Sequence, residues 1–227
     1  MSSLYLVATP IGNLQDLTFR GLQTLMEVDL IICEDTRVTR KLLSRYRVTT
    51  PLISFYSASV RKSQKPPLKI QAIINELERG KNIALLTDAG TPGISDPGNQ
   101  IVKAALDKNI SVVPIPGASS LTAIISVAGI DMSQFVFLGF SPHKKGRETF
   151  FKKIANLELP VIYFESPFRL IKNLELLKKI NPDKKIILGR ELTKVFEQII
   201  RGSIDQVLSY FQTNKDRIKG EFVIVAY

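Results

Sequence analysis

The chain has 227 residues, 44% of them hydrophobic, and a formal net charge of +10 at neutral pH. This composition excludes a disordered chain and gives a globular protein with room for one large domain or two small ones. A single cysteine, Cys33, and a single histidine, His143, exclude an internal disulfide and a Cys/His zinc site and fit a reducing cytosol.

The opening residues Met1-Ser2-Ser3-Leu4-Tyr5-Leu6 lack the basic stretch of a secretory leader. No apolar run approaches the ~20 residues that span a bilayer, so a cytoplasmic protein is expected. Short apolar runs at Leu4–Ala8, Leu30–Cys33, Leu52–Phe55, Ile83–Leu86 and Ser111–Ile115 predict strands. Helical patterns alternate with them. Leu17–Val28 places Phe19, Leu22, Leu25 and Met26 at helix spacing, and Thr36–Tyr46 and Leu68–Arg79 behave similarly. Asp96 followed by Pro97 reads as a helix start, an N-cap before a proline in the first turn. Strand–helix alternation implies right-handed crossovers and a mostly parallel sheet, with ligands at the carboxyl ends of its strands. The run Pro114-Ile115-Pro116-Gly117 is a natural joint. Beyond it come a nearly uncharged helix, Ser119–Ala128, and strands at Phe135–Gly139, Val161–Glu165, Lys185–Leu188, Glu197–Arg201 and Glu221–Ala226. Two α/β domains are therefore expected, residues 1–116 and 117–227, the second with some antiparallel pairing.

Four turns after strands carry the chemical signal. In Thr9-Pro10-Ile11-Gly12-Asn13-Leu14, Pro10 and Gly12 allow close approach of the backbone to a ligand. The stretch Asp88-Ala89-Gly90-Thr91-Pro92-Gly93-Ile94-Ser95-Asp96-Pro97-Gly98 holds more glycine and proline than a simple link needs. Asp88 there could accept hydrogen bonds from a ribose or an amine, or serve only the turn. No G-x-G-x-x-G follows the first strand, which argues against a nicotinamide dehydrogenase. Pro116-Gly117-Ala118-Ser119-Ser120 opens a helix whose free N–H groups suit an anion. Glu34-Asp35-Thr36-Arg37 ends the second strand, and two readings stay open there: a catalytic position, or an N-cap Asp35 paired locally with Arg37 or Arg40.

Charge is unevenly spread. From Thr36 to Asn75 there is no acid but nine bases: Arg37, Arg40, Lys41, Arg45, Arg47, Arg61, Lys62, Lys65 and Lys69. So one-sided a segment costs self-repulsion and points to a polyanion such as RNA. A second basic cluster spans His143, Lys144, Lys145, Arg147, Lys152 and Lys153, with Glu148 inside it.

Taken in order, these motifs resemble the tetrapyrrole methylase superfamily, and within it the members that methylate the small-subunit ribosomal RNA on a cytidine ribose 2′-oxygen. The resemblance covers nearly the whole chain. It runs through the four turns above, then Phe137-Leu138-Gly139-Phe140, Phe164-Glu165-Ser166-Pro167-Phe168-Arg169, Arg190-Glu191-Leu192-Thr193-Lys194 and Lys219-Gly220-Glu221. It implies a two-domain fold with an N-terminal mostly parallel sheet and a C-terminal mixed sheet. It further implies S-adenosyl-L-methionine in the interdomain cleft, a homodimer, and 16S ribosomal RNA or the small ribosomal subunit as partner. Carried over by position, Pro10, Gly12, Asp88, Ala89, Gly90, Thr91, Ser119 and Ser120 would line the cofactor site, closed by Phe164 and Glu165. The chain departs from the family pattern at Tyr56-Ser57-Ala58-Ser59, where relatives often carry His-Asn, and at Ser120, where alanine is common.

A 2′-hydroxyl is a poor nucleophile, so a general base or a polarising cation should assist its methylation. Candidate bases are Asp35, Glu34 and Glu221, and candidate cations are Arg37 and Lys219. RNA would contact Arg37, Arg40, Lys41, Arg61, Lys62, Lys144 and Lys145. No metal or redox cofactor is required. The alternatives are a porphyrin or corrin methyltransferase of the same fold, a diphthine-synthase-like enzyme, and a basic RNA-binding module without activity.

Overall fold

Strand and helix alternate from the start of the chain. The computed structural model describes residues 2–55 and 68–227. The chain divides into two compact units, Met1–Ser119 and Ser120–Tyr227. The first unit contains β1 (Ser3–Val7), α1 (Phe19–Glu27), β2 (Leu30–Cys33), α2 (Thr36–Arg45), β3 (Leu52–Ser54), α3 (Leu68–Glu78), β4 (Ile83–Leu86), α4 (Asn99–Leu106) and β5 (Ser111–Ile115). Its five strands form one parallel sheet in the order β3-β2-β4-β1-β5.

The period-two alternation of each strand builds two cores. Val7, Ile31, Ala84, Leu86 and Ile115 face α1 and α2, packing with Leu25, Leu42 and Leu43. Leu4, Ile32, Ile83 and Leu85 face the other way, onto Ile73 and Leu77 of α3 and Ile101 and Ala105 of α4. The connections leaving β1 and β2 run toward β3 and carry the helices of one face. Those leaving β3 and β4 run toward β5 and carry the helices of the other, as right-handed crossovers require. β2 and β4 are adjacent strands whose connections diverge. This is the topological switch point, and it opens a crevice at their carboxyl ends.

The second unit contains α5 (Ser120–Ser126), β6 (Val136–Phe140), α6 (Arg147–Asn156), β7 (Val161–Glu165), α7 (Leu170–Ile180), β8 (Lys185–Arg190), β9 (Gln198–Ser203), α8 (Ile204–Thr213) and β10 (Phe222–Ala226). Its sheet is mixed, in the order β6-β7-β10-β8-β9, with β6 and β7 parallel and the remaining pairs antiparallel. Phe151, Leu174, Leu177, Val207 and Phe211 from the three long helices pack against Val161, Tyr163, Ile186, Leu188 and Ile224 of the sheet. The register pairs Phe140 with Phe164, Glu165 with Phe222, Phe222 with Arg190, and Arg190 with Gln198. The loops after β6, β7 and β8 and the segment before β10 therefore leave one end of this sheet.

Two expected helix ends differ. Asp96 does not cap α4. Its carboxylate accepts from Gly93 N at 2.5 Å and Gly98 N at 2.7 Å, holding the turn together, and α4 opens at Asn99 with Gly98 as N-cap. The uncharged helix is shorter than Ser119–Ala128. Val127 and Ala128 donate to carbonyls three residues back, and Gly129 at φ 72° ends the run.

Candidate functional site

The turns after β1, β4 and β5 are stitched together next to the switch point. Thr9 and Gly90 exchange two backbone hydrogen bonds, of 2.9 and 3.1 Å, while Thr9 Oγ1 donates to Thr87 O at 3.2 Å. Thr91 Oγ1 donates to Ala118 O at 3.1 Å, tying the long glycine-rich turn to the Pro116–Ser119 segment. Gly90 sits at φ 86°, and a Cβ there would stand 3.3 Å from Ile11 Cγ2, so both the backbone angle and the close approach require glycine. The structure thus brings the Pro10, Asp88–Thr91 and Ser119 positions to the carboxyl ends of neighbouring strands. Pro10 and Ser119 are buried, whereas Gly12, Asp88 and Ala89 are exposed. Ser120 begins α5.

Beside them lies a cavity of about 380 Å³ lined by Glu34, Asp35, Thr36, Ser54 and Asp88. Asp35 N donates to Asp88 Oδ1 at 3.1 Å, Thr87 Oγ1 to Glu34 Oε1 at 2.5 Å, and Ser54 Oγ to Glu34 O at 2.8 Å. Partial burial, and then the neighbouring acids, raise the proton affinity of Glu34 and Asp88 above the ordinary carboxylate range. Asp35 is the opposite case. Its hydrogen bonds to the Arg37 guanidinium and to Arg37 N hold its pKa at about 2. Asp35 is the N-cap of α2, and three side-chain hydrogen bonds of 2.6 to 3.1 Å bind it to Arg37. Both sequence readings of Asp35 placed it here, and the geometry realises the capping pair. Cys33 is fully buried in β2.

α2 presents Arg37, Arg40, Lys41 and Arg45 to solvent while Thr39, Leu42 and Leu43 are buried, so its basic residues form an exposed stripe. Lys69 Nζ donates to Ser54 O at 3.2 Å. Arg61, Lys62, Lys65 and the Tyr56–Ser59 departure lie outside the described residues.

In the second unit, Glu165 closes β7 with a fully buried carboxylate. It accepts from Ser141 Oγ at 2.6 Å, Asn173 Nδ2 at 2.5 Å, Ser166 N at 2.7 Å and Arg169 Nε at 3.1 Å. Its oxygens are committed within the unit, where they fix the roots of the loops after β6 and β7. The Phe164 ring, half-buried, packs against Phe137 and Phe140. Lys219, Lys144, Lys145 and His143 are exposed. Glu221 shares Lys194 with Glu191, both at 2.9 Å. Ser141 and Asn173 escaped the sequence reading. The signal for Asn173 was present, since it falls in the apolar stripe Leu170, Leu174, Leu177 of α7, where an amide needs a buried partner.

The geometry defines a class: a parallel α/β unit with hydrogen-bonded turns at the carboxyl ends of its strands, followed by a mixed-sheet unit. The family profile of the Tetrapyrrole (Corrin/Porphyrin) Methylases matches residues 3–208, and the chain belongs to this family. It is 43% identical over 227 residues to the ribosomal RNA small subunit methyltransferase I of Synechocystis sp., covering 99% of this chain and 78% of that one. It is 40% identical to the Thermotoga maritima protein of the same name, covering 99% and 98%. In fold it is similar to the solved structure of a cobalamin-biosynthetic cobalt precorrin-4 methyltransferase, with a TM-score of 0.71 at 15% identity, covering 98% and 94% of the two chains.

Proposed function

We propose that this methyltransferase carries a methyl group from S-adenosylmethionine to the ribose 2′-oxygen of a cytidine in 16S ribosomal RNA, in the cytoplasm and as a homodimer. The observation that carries the reading is identity of 40% or more along almost the whole chain with relatives named for small-subunit ribosomal RNA methylation. The exposed basic stripe of α2 supports a polyanionic substrate, and a porphyrin or corrin substrate gives that stripe no use. No described helix is long and apolar enough to cross a membrane.

The residues at the switch point fit the cofactor. Glu34 and Asp88 are carboxylates whose proton affinity is raised first by burial, so their ionised forms gain from a cation beside them, and Arg37 is engaged by Asp35. A ligand bearing an amine and a sulfonium supplies that positive charge. When bound, S-adenosylmethionine provides an electrophilic methyl group. Asp88 would hold the cofactor, with the Gly90–Thr91 backbone and the Ser119 segment shaping its bed. Glu34 is the better-poised proton acceptor of the acidic trio, because a carboxylate held near pKa 2, as Asp35 is, has little affinity for a proton. Arg37, Lys219 and Glu221 stay in the proposal as groups that orient the hydroxyl or its flanking phosphates.

The test is methyl transfer from labelled cofactor to small ribosomal subunits, to bare 16S RNA and to a porphyrin. Label mapped to a cytidine ribose by mass spectrometry is expected. Label on the porphyrin and none on RNA would reject the reading, and RNA binding with neither cofactor binding nor transfer would favour an inactive RNA-binding module.

A further inference from the structure

One end of the second unit's sheet gathers exposed aromatic rings and lysines on a rigid base. Phe140 is 59% exposed and Phe168 is 96% exposed, although large apolar side chains on solvent are costly. They end β6 and follow β7, two adjoining parallel strands, so they share that end of the sheet. Their placement is built. In a regular strand, residues three apart face opposite sides, yet Phe137 and Phe140 both pack on Phe164 with ring centroids 5.1 Å away. A register shift between Phe137 and Phe140, with Gly139 at φ 66°, turns Phe140 onto that side. The buried Glu165 then pins both loops, through Ser141 on one side and through Ser166 N and Arg169 on the other.

The charge beside the rings chooses the occupant. Lys144 and Lys145 follow Phe140 within five residues and are exposed, whereas Glu148 is paired with Lys152. Phe196, 73% exposed after β8, is flanked in sequence by Glu191 and Glu197 and is left out. Flat rings next to cations suit a chain of unpaired nucleotides, whose bases stack while its phosphates meet the lysines. We propose that Phe140 and Phe168 are stacking platforms for unpaired bases of the RNA substrate. This rests on the RNA reading above and adds to it the residues that grip a single strand.

The chain has no tryptophan, so Phe140→Trp and Phe168→Trp each create a sole tryptophan, which can be excited selectively over the tyrosines. A single-stranded RNA oligonucleotide should quench it, whereas heparin, a polyanion without bases, should not. Phe140→Ala and Phe168→Ala should each weaken binding of the same oligonucleotide about 5- to 150-fold, with Tyr restoring affinity and Leu failing to do so. Full affinity in both Ala variants, rescue by Leu, or equal quenching by heparin would overturn the proposal. So would a loss of self-association in Phe168→Ala by sedimentation, which would make this face a contact between copies of the chain. If the unaltered protein binds no RNA at all, the RNA reading fails with it. RNA binding that survives both Ala substitutions sinks the platforms alone.

Discussion

At the residue scale, three neighbouring carboxylates differ in their hold on a proton, and the differences divide the proposed roles among them. Glu34 and Asp88 are raised by burial, whereas Asp35 is lowered to about 2 by Arg37. The Asp35–Arg37 pair thus persists through mildly acid pH and opens only as pH falls toward 2. A raised carboxylate is most at ease protonated. Its contribution to stability is present below its ordinary value and lost as pH rises through the raised one, so ionised Glu34 and Asp88 strain the pocket at neutral pH. A cationic ligand relieves that strain. Cofactor affinity is therefore expected to fall on acidification, in the window from the raised values down to the ordinary carboxylate values. Calorimetry across pH should show this fall in the unaltered protein and a flatter profile in Asp88→Asn. Asp88→Ala should lose ~1–3 kcal/mol of cofactor binding at neutral pH. The chemical step separates the other two acids. Glu34→Gln should cut single-turnover methylation ~10²–10⁴-fold at saturating ligands, the range for a lost general base. Asp35→Asn, which keeps an N-cap side chain, should change it far less. The reverse order of effects would return the base to Asp35.

At the scale of elements, helix α2 joins packing to the proposed substrate binding. Its buried face of Thr39, Leu42 and Leu43 forces Arg37, Arg40, Lys41 and Arg45 outward onto one exposed stripe. Single-stranded RNA binding gives a slope of roughly −0.7 in log affinity against log salt per phosphate neutralised. Removing the charges of Arg40 and Lys41 should therefore make the slope shallower by about 1.4. An unchanged slope would move the phosphates elsewhere. The glycine-rich turn has its own test. Gly90→Ala puts a side chain at φ 86° and 3.3 Å from Ile11, which should cost ~1–2 kcal/mol of unfolding free energy and weaken cofactor binding with it. Strands such as Leu30–Cys33 and Ile83–Leu86 were legible because β-branched and leucine runs bounded by turn residues leave few alternatives. The start of α4 was not legible. Asp96 has the chemistry of an N-cap, but the fold uses both of its oxygens to close a turn, and only the partner amides of Gly93 and Gly98 reveal this. Glu165 was visible as part of a motif, yet its surroundings were not. A buried carboxylate needs donors from distant segments, here Ser141 and Asn173, and sequence spacing does not report such contacts.

For the whole molecule, the fold leaves the substrate open. The architecture similar to this one at a TM-score of 0.71 belongs to a protein named for a corrin precursor, so the same scaffold serves a small macrocycle. This chain is strongly basic. Its +10 net is matched by the +9 carried between Thr36 and Asn75. Long-range attraction by such a segment is screened by salt, because the Debye length shrinks to about 3 Å at 1 M. The two ligands should then separate on one axis. Cofactor binding rests on short contacts at the switch point and should respond weakly to salt. At a hundredfold excess over its Kd it should stabilise the fold by ~2.7 kcal/mol, read as a raised unfolding temperature at both low and high salt. The RNA substrate should add stabilisation at low salt and lose most of it as salt rises, with methylation falling in step. Thermal unfolding measured with cofactor, with RNA and with both, across a salt series, checks the two behaviours in one experiment. If methyl transfer held constant while RNA-dependent stabilisation vanished, RNA would be a polyanion bound beside the reaction, and the acceptor would have to be something other than RNA.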